Sequence, residues 1–223
     1  MILKSMKLPF SIFLFFFILA HALFARDIQE GYSIKTKGIV IGSLSWSLKI
    51  DDNSYKTSIK LKNKGFLSRF YGFSGDYLAE GTIQNNRFIP TRYVQIWKTS
   101  NQKKYVELKF KGGVVEKLSL NPKETEVARI QYKKLENYKD PLSSLISMLI
   151  TGIKSYTIDG RRVYLLSPEK EGNKILIKKY TNIWTDHKRN DLEYLEVKQG
   201  ERNILPEKII IKFKGSLFYL TKI

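Results

Sequence analysis

Apolar and polar residues alternate one for one along much of this chain, and this alternation restricts its fold more than any other feature of the sequence. In one run, Trp46, Leu48 and Ile50 alternate with serine and lysine, and residues 55–61 repeat the pattern. Successive side chains of a β-strand point to opposite faces, so each run has an apolar face and a polar face. Turn-forming residues fill positions 51–54 between the two runs, which predicts a β-hairpin.

Further hairpins are predicted up to residue 122. Turn-forming pairs occur at Asn85-Asn86 and at Gly112-Gly113, where glycine can adopt the positive φ of a tight turn. The segments between these turns are residues 77–83, 87–97, 105–111 and 114–120. Together with the first hairpin they make about six strands. Consecutive hairpins place neighbouring strands antiparallel, so we expect an antiparallel sheet.

One segment has the spacing of a helix instead. Asp140 can cap the free N–H groups of a first turn, and Pro141 is tolerated at the first helical position. The apolar residues that follow at helical spacing are Leu142, Leu145, Ile146, Leu149 and Ile153. Serines fill much of the other side, Gly152 lies near the predicted end, and strand-like segments resume afterwards. We therefore predict a mostly β chain: a curved antiparallel sheet of roughly 10–11 strands, with one amphipathic helix over about residues 140–153 packed on it. A short helical turn is also predicted over residues 66–71.

The N-terminus has the composition of a secretory signal peptide. Lys4 and Lys7 precede an apolar run of about 12 residues, which is shorter than the roughly 20 that a spanning helix needs. Small residues follow at Ala22 and Ala25, and cleavage is expected after one of them. We therefore expect residues 1–25 to direct export to the periplasm and to be removed.

Export changes what the positive charge implies. The chain has 39 Lys and Arg against 21 Asp and Glu, and removing Lys4 and Lys7 lowers the net charge from +18 to +16. In an exported protein this charge favours anionic lipids, acidic polymers or a negatively charged envelope protein as partners, and not nucleic acid. The alternative is that the lysines simply form the solvent face of the strands. Residues 26–223 are expected to be one β-rich domain, a monomer with no transmembrane segment after cleavage.

Few residues could support catalysis or bind a metal. Cysteine is absent, and His187 is the single histidine after the leader, so thiol chemistry and His/Cys zinc sites are excluded. Asp76 and Glu80 share a strand face and are the only acids we consider as a carboxylate pair. We predict no catalytic residues, no metal and no cofactor.

The aromatic residues of the first hairpins indicate a ligand site. If the sheet curls, some of them line its concave side beneath the helix and form an apolar pocket. The candidate ligand-binding residues are Trp46, Tyr55, Tyr77, Trp97, Phe110, Leu145, Leu149, Arg161 and Arg162. Two alternatives remain open: the apolar residues are ordinary core, and the two arginines pair with Asp159 or other nearby acids.

Several short motifs, in this order, resemble a known family. They are Gly31-Tyr32, Gly38 to Gly42, Phe73-Ser74-Gly75, Gly81, Pro90, Tyr93, Asp140 to Leu145 and Asp159 to Tyr164. From about Gly31 to Tyr164 the chain resembles the DUF3108 family of exported bacterial proteins. The resemblance implies an exported antiparallel β-domain with a helix against it, similar to the half-open barrels of periplasmic lipoprotein carriers. It implies no catalytic residue, because the family is uncharacterised.

Three functions are consistent with these features. The first is a non-enzymatic envelope protein that binds an amphipathic or anionic, lipid-like envelope molecule or a partner protein. The second is a structural scaffold, which requires a filled barrel with no cavity and an exposed apolar patch or strand edge. The third is a carboxylate-dependent hydrolase of envelope polymers, which requires two acids in one cleft.

Overall fold

The fold was analysed in a computed structural model, which describes residues 26–64, 72–169, 172–184, 191–200 and 203–223. The predicted leader at residues 1–25, the predicted helical turn at residues 66–71 and His187 lie outside these ranges. No helix within the described ranges is long and apolar enough to cross a membrane.

The described residues form thirteen β-strands and one α-helix, α1. The strands that precede the helix are β1 (Arg26–Thr36), β2 (Ile39–Ile50), β3 (Ser54–Asn63), β4 (Phe73–Gln84), β5 (Arg87–Thr99), β6 (Lys103–Lys111) and β7 (Val114–Asn121). The helix α1 covers Pro141–Thr151. The strands that follow are β8 (Ser155–Ile158), β9 (Arg162–Pro168), β10 (Lys174–Asn182), β11 (Leu192–Lys198), β12 (Lys208–Phe213) and β13 (Ser216–Lys222).

The prediction of a mostly β chain with one helix is confirmed, and the number of strands is higher than expected. Strand β1 was missed because Glu30 interrupts its apolar alternation between Ile28 and Tyr32. The structure accommodates this acid through Lys222 of β13, whose Nζ lies 2.7 Å from Glu30 Oε1. An acid on an otherwise apolar face thus pairs with a residue distant in sequence.

All thirteen strands belong to one antiparallel sheet, which is curved and does not close. The order across the sheet is β7-β6-β5-β4-β3-β2-β1-β13-β12-β11-β10-β9-β8. The first and last of the described strands, β1 and β13, meet in the middle of the sheet, where Tyr32 pairs with Lys222. Strands β7 and β8 are the two edges and do not pair with each other, so the expected half-open barrel is confirmed.

The helix α1 lies within the curve of the sheet and joins its apolar clusters. Ile146 is fully buried with Trp46 and Phe88, and Met148 packs with Tyr164. Leu142 belongs to a third cluster, formed mainly by strands β4 to β7 and β9. The helix is therefore the central element of the core, because it contacts the inner face of the sheet on several sides.

Both ends of α1 follow the sequence-based prediction. The carboxylate of Asp140 accepts hydrogen bonds from the backbone N–H groups of Leu142 and Ser143, at 3.0 and 2.9 Å. Gly152 ends the helix in the left-handed conformation, with φ of 68°, which glycine adopts without steric cost. These two residues fix where the helix begins and ends inside the barrel.

Candidate functional site

An apolar cavity of about 460 Å³ lies inside the curved sheet. Its walls come from strands β1 to β5 on one side and β12 and β13 on the other, and Pro141 and Leu142 of α1 form its inner boundary. The volume falls within the range of roughly 300–1,000 Å³ that is common for ligand pockets. The cavity exists because α1 begins at Pro141, so the helix fills the rest of the barrel and leaves this portion open.

The cavity opens at one end of the sheet, which we call the open end: the end at which β1, β3, β5 and β12 stop and β2, β4, β6 and β13 start. Ile41, Phe73, Trp97 and Phe213 line the cavity and all lie within three residues of these strand ends. Antiparallel hairpins bring these residues together, because alternate turns of a meander fall at the same end of the sheet. An apolar molecule could therefore enter from this end.

Close backbone packing makes the aromatic wall of the cavity. The rings of Phe73 and Trp97 stack with their centroids 5.6 Å apart. Gly75 lies beneath them, and a Cβ atom there would stand 2.8 Å from Tyr77 Cε2 and 3.1 Å from Trp97 Cε3. A larger residue at position 75 would displace these rings. Steric crowding therefore explains why the Phe73-Ser74-Gly75 motif ends in glycine.

Polar side chains in the cavity wall are few, and Tyr93, Gln95 and Asp159 among them have partners within the protein. Tyr93 donates a hydrogen bond to Gln95 Oε1 at 3.2 Å. Asp159 accepts the backbone N–H groups of Arg161 and Arg162 at 2.9 and 2.7 Å, which holds the β8–β9 turn. Burial raises the pKa of Asp159 above its usual range, although Arg162 opposes the shift. These contacts leave the cavity suited to an apolar guest.

Two of the predicted site residues line the cavity, namely Tyr77 and Trp97. Burial, followed by repulsion from Asp159, raises the pKa of Tyr77 to about 12, so its hydroxyl stays neutral at physiological pH. The structure thus places these two candidates in the cavity wall, and their role in ligand binding stays a prediction.

The structure places the other apolar candidates in the packed core beside the cavity. Trp46 donates its indole N–H to Thr57 Oγ1 at 2.9 Å, and Phe110 packs in the cluster of strands β5 to β7. The hydroxyl of Tyr55 lies 2.6 Å from Ser143 Oγ. Leu145 and Leu149 of α1 are partly buried against the core. The structure therefore does not bring these five residues to the cavity wall.

The two candidate arginines make ion pairs within the protein. Arg161 donates its Nε to Glu124 at 2.7 Å and Nη2 to the carbonyl of Pro122 at 3.2 Å. Arg162 Nη1 lies 3.5 Å from Asp159 Oδ2, as the structural alternative expected. Neither arginine lines the cavity, although both lie at the open end, next to the β8–β9 turn.

Sequence reasoning missed most of the cavity wall. The missed apolar residues of β1 to β3, β12 and β13 are Ile34, Ile41, Leu44, Ile59, Leu61, Ile211, Phe213, Phe218 and Leu220. Alternation could have indicated Ile59 and Leu61, which share the inner face of β3 with Tyr55. It could not indicate Ile41, because Ile34 pairs with Gly42 and Lys35 with Val40, so Ile41 is the extra residue of a β-bulge.

A second feature of the core is the polar side of α1, which the sequence placed away from the sheet. Ser143, Ser144 and Ser147 are all buried. Ser144 Oγ accepts hydrogen bonds from Thr157 at 2.8 Å and Ser155 at 3.1 Å. We call these three serines and their partners Tyr55, Lys139, Asp140, Ser155 and Thr157 the serine seat.

The serine seat contains three titratable groups with shifted pKa values, and burial raises the pKa of one of them, Tyr55, well above its usual range. Burial raises the pKa of Asp140 to about 6, even though the hydroxyl and N–H of Ser143 and the N–H of Leu142 stabilise its charged form. Burial lowers the pKa of Lys139, whose Nζ donates to Ser147 Oγ at 2.8 Å. The seat therefore fixes the helix against β3 and β8 through polar contacts.

The carboxylates considered for hydrolysis lie outside the cavity. Asp76 and Glu80 alternate with Gly75, Tyr77 and Ala79 on β4 and so occupy its outer face. Glu80 is within 3.6 Å of Lys56 and 3.8 Å of Arg92. Among the residues that the structure describes, no three His, Cys, Asp or Glu side chains are grouped as metal ligands would be.

Fold and site together define a class: an open, antiparallel, β-barrel-like protein with a buried helix and an internal apolar cavity. The chain belongs to DUF3108, a family of proteins of unknown function, and the family profile matches residues 31–164. This match confirms the resemblance that the sequence motifs indicated.

The chain is similar to a solved crystal structure, that of a beta-barrel-like protein of domain of unknown function DUF1849 from Brucella abortus. The two chains are 11% identical with a TM-score of 0.50, over 91% of this chain and 98% of that one. At this identity the likeness shows the fold alone. A comparison with curated proteins finds no match.

Proposed function

We propose that this chain is an exported, non-enzymatic protein of the periplasm that binds the apolar part of an amphipathic, lipid-like envelope molecule. The observation that carries the proposal is the cavity of about 460 Å³ with its almost wholly apolar wall, open at one end of the sheet. A packed protein interior leaves few voids larger than a water molecule, so an apolar space of this size suggests a guest.

Burial of the apolar chain supplies the binding free energy. Each buried CH₂ group contributes about 0.8 kcal/mol, so about ten of them would contribute about 8 kcal/mol before the costs of ordering. The apolar chain of the guest would lie against Leu61 and Trp97 and end near Leu142 of α1. The polar head would remain at the open end, where Lys64 and Lys104 are exposed.

Lys104 is the cation best placed to meet an anionic head group. It stands directly opposite Trp97 in the β5–β6 pairing, and opposite residues of a ladder point to the same face. Lys104 is therefore on the cavity side of the sheet, at its rim. Arg161 and Arg162 are less suitable, because each already has a carboxylate partner.

The cavity favours this function over the two alternatives. A structural scaffold requires a filled barrel, whereas part of this barrel is empty. A hydrolase requires two converging acids, whereas Asp76 and Glu80 lie on the outer face of β4 and Asp159 is the one acid among the cavity-lining residues.

The first test is whether the cavity takes up an apolar dye. Ile59 lines the cavity, and its neighbour Lys60 faces solvent on the same strand. We expect Ile59→Trp to fill the cavity and weaken binding of the dye phenylnaphthylamine by at least about tenfold, and Lys60→Trp to change it by less than about twofold. Thermal unfolding of both variants would verify that each is folded, and Leu61→Trp provides a second cavity-filling variant.

The second test identifies the natural guest. The protein purified from its own cell envelope would be extracted with organic solvent, and the extract analysed by mass spectrometry. We expect one class of lipid-like molecule with wild type and a reduced amount with Ile59→Trp. A protein that carries no such molecule and does not bind the dye would contradict the proposed function.

A further inference from the structure

Two neighbouring hairpin tips at the open end expose apolar side chains. Ile39 and Val40 follow the β1–β2 turn and are 61% and 41% exposed, and Phe213 precedes the β12–β13 turn and is 37% exposed. The two hairpins are adjacent because β1 pairs with β13, with Lys35 opposite Tyr219. We call Ile39, Val40 and Phe213 the lip. Phe213 also lines the cavity, so the lip is continuous with its mouth.

Lysines surround the lip, and acids are absent from the same tips. Lys37 and Lys214 form the two turns themselves, each with a positive φ. The other lysines near the strand ends of the open end are Lys35, Lys62, Lys64, Lys98, Lys103, Lys104 and Lys212. No Asp or Glu occurs in residues 35–46, 96–106 or 212–219. These tips therefore combine exposed apolar groups with lysines and no acid. Acids at the same end of the sheet include Asp191, whose carbonyl accepts the N–H of Lys214 at 2.7 Å, and Glu124 and Asp159, which pair with Arg161 and Arg162.

The opposite end of the sheet provides an internal comparison. It also exposes apolar residues, with Ile150 42% and Ile153 66% exposed. There, however, the neighbouring turns carry both signs of charge, with Asp51 and Asp52 beside Arg87 around one hollow. Exposed apolar residues alone thus do not distinguish the two ends, whereas the two turns of the lip carry lysines and no acid.

We propose that the open end docks on the surface of an anionic lipid bilayer. The lip would enter the boundary between head groups and acyl chains, and the lysines would contact the anionic head groups. Apolar groups on a basic surface bind membranes in this way, and each Lys near an anionic membrane strengthens the binding. The docking surface stands on the lip and the lysines; only its use for loading the cavity rests on the proposed function.

The size of the lip favours a bilayer over a protein partner. A specific protein interface typically involves about 20–30 residues on each side around a well-packed apolar centre. The lip offers three side chains on two narrow turns, which suits insertion between lipids. An acyl chain that leaves the bilayer could then enter the cavity at Phe213 without crossing water.

Vesicle flotation with matched variants tests the proposal. The exported protein would be mixed with vesicles of phosphatidylcholine alone, or of phosphatidylcholine and phosphatidylglycerol in a three-to-one ratio. We expect at least about tenfold tighter binding to the anionic vesicles, weakening as salt rises because exposed charges are screened. Equal binding to both vesicles, or none to either, would overturn the proposal.

Variants at the two ends separate docking from general stickiness. Ile39→Asp and Ile153→Asp introduce the same change at similarly exposed sites, and we expect about a tenfold loss of vesicle binding from the first and less than about twofold from the second. The double variant Lys37→Glu and Lys214→Glu should lose at least about tenfold, against less than about threefold for Lys111→Glu with Lys154→Glu. Equal losses at both ends would contradict docking by the lip.

Dye uptake distinguishes failure of this proposal from failure of the proposed function. Ile39 and Val40 do not line the cavity, so Ile39→Asp should bind phenylnaphthylamine as wild type does. Vesicle binding that follows the expected pattern without dye uptake would leave docking standing and reject the cavity function. Dye uptake without binding to anionic vesicles would support the cavity function and reject docking on a bilayer. It would then point to a protein as the partner of the open end.

Discussion

The two sides of α1 differ in how the protein fills space. On one side the serine seat buries Ser143, Ser144 and Ser147 and gives each hydroxyl a partner within 3.1 Å. On the other, beside Pro141 and Leu142, an apolar cavity of about 460 Å³ has few polar groups in its wall. Polar groups are thus concentrated where the interior is full, and they are scarce where it is empty.

This difference indicates which side positions the helix and which side serves a guest. A buried hydroxyl without a partner is costly, so the hydrogen bonds of the serine seat allow few other positions of α1. The cavity imposes no such requirement, because apolar contacts are non-directional. The seat therefore fixes the inner boundary of the cavity, and changes on the two sides should have different consequences.

The largest expected effect compares a packed residue with a cavity-lining one. Ile146 is fully buried in the core, whereas Leu61 already borders the cavity. We expect Ile146→Ala to lower the free energy of unfolding by about 2–5 kcal/mol, and Leu61→Ala by about 1–2 kcal/mol because fewer contacts are lost. Urea unfolding followed by tryptophan fluorescence measures both. Equal losses would mean that the cavity is filled in solution.

The next effect is a pH dependence from Asp140 in the serine seat. Its pKa is raised from 3.8 to about 6 in the folded protein, so the folded state holds the proton more tightly than the unfolded state. The contribution of Asp140 to the free energy of unfolding is fully present below about pH 4 and is lost as pH rises through about 6. The whole change amounts to about 3 kcal/mol.

The variant Asp140→Asn isolates this contribution. Asparagine keeps a side-chain oxygen that can accept from the N–H groups of the first turn, but it does not titrate. We therefore expect the stability difference between wild type and variant to change between about pH 4 and pH 6. Taking the difference cancels acids that titrate in both proteins, among them Glu107, whose pKa Arg92 lowers. A constant difference across this range would contradict the raised pKa.

The sequence was sufficient for the local features of both regions. Asp140 and Gly152 at the helix ends, and the turns at residues 85–86 and 112–113, were predicted because caps and tight turns depend on a few adjacent residues. The inner face of the first hairpins followed from alternation. These predictions include Tyr77 and Trp97, the two candidates that line the cavity.

The remainder depends on contacts between residues distant in sequence. The pairing of Tyr32 with Lys222 brings β12 and β13 opposite β3 to β5, and periodicity does not encode which strands will meet. For the same reason the partners of Ser144 on β8 were not predicted, and the serines were assigned only to the side of the helix opposite its apolar residues. The cavity itself is a volume left between elements, which no local pattern indicates.

A smaller effect is expected from breaking one hydrogen-bonded group of the serine seat. Ser144→Ala removes the hydroxyl that accepts hydrogen bonds from Ser155 and Thr157. Because these two buried hydroxyls then lose their acceptor, we expect the free energy of unfolding to fall by about 1–3 kcal/mol. Adding Thr157→Val should recover part of this loss, because both partners are then apolar. Chemical unfolding of the single and double variants measures the difference.

The matched control for the serine seat is a hydroxyl pair on the outer face. Ser47 and Ser58 lie 2.8 Å apart on β2 and β3, where water can replace either partner. We expect Ser47→Ala to cost less than about 1 kcal/mol. If it cost as much as Ser144→Ala, burial would not be what distinguishes the seat.

The smallest expected effect concerns the arginine that the sequence assigned to a ligand head group. Arg161 pairs with Glu124 in a partly exposed position, so Arg161→Ala should lower the free energy of unfolding by about 0–1 kcal/mol. Because Arg161 does not line the cavity, it should also leave the affinity for a fatty acid within about twofold of wild type.

Lys104 provides the contrasting substitution on the cavity side of the rim. Lys104→Gln should weaken fatty-acid binding by about threefold to tenfold and leave binding of the uncharged dye unchanged, because it removes one charge that faces the head group. Titration of both ligands into both variants measures these affinities. If Arg161→Ala instead weakened fatty-acid binding and Lys104→Gln did not, the head group would lie at the β8–β9 turn. The guest would then enter the cavity past Asp159 and not along β5 and β6.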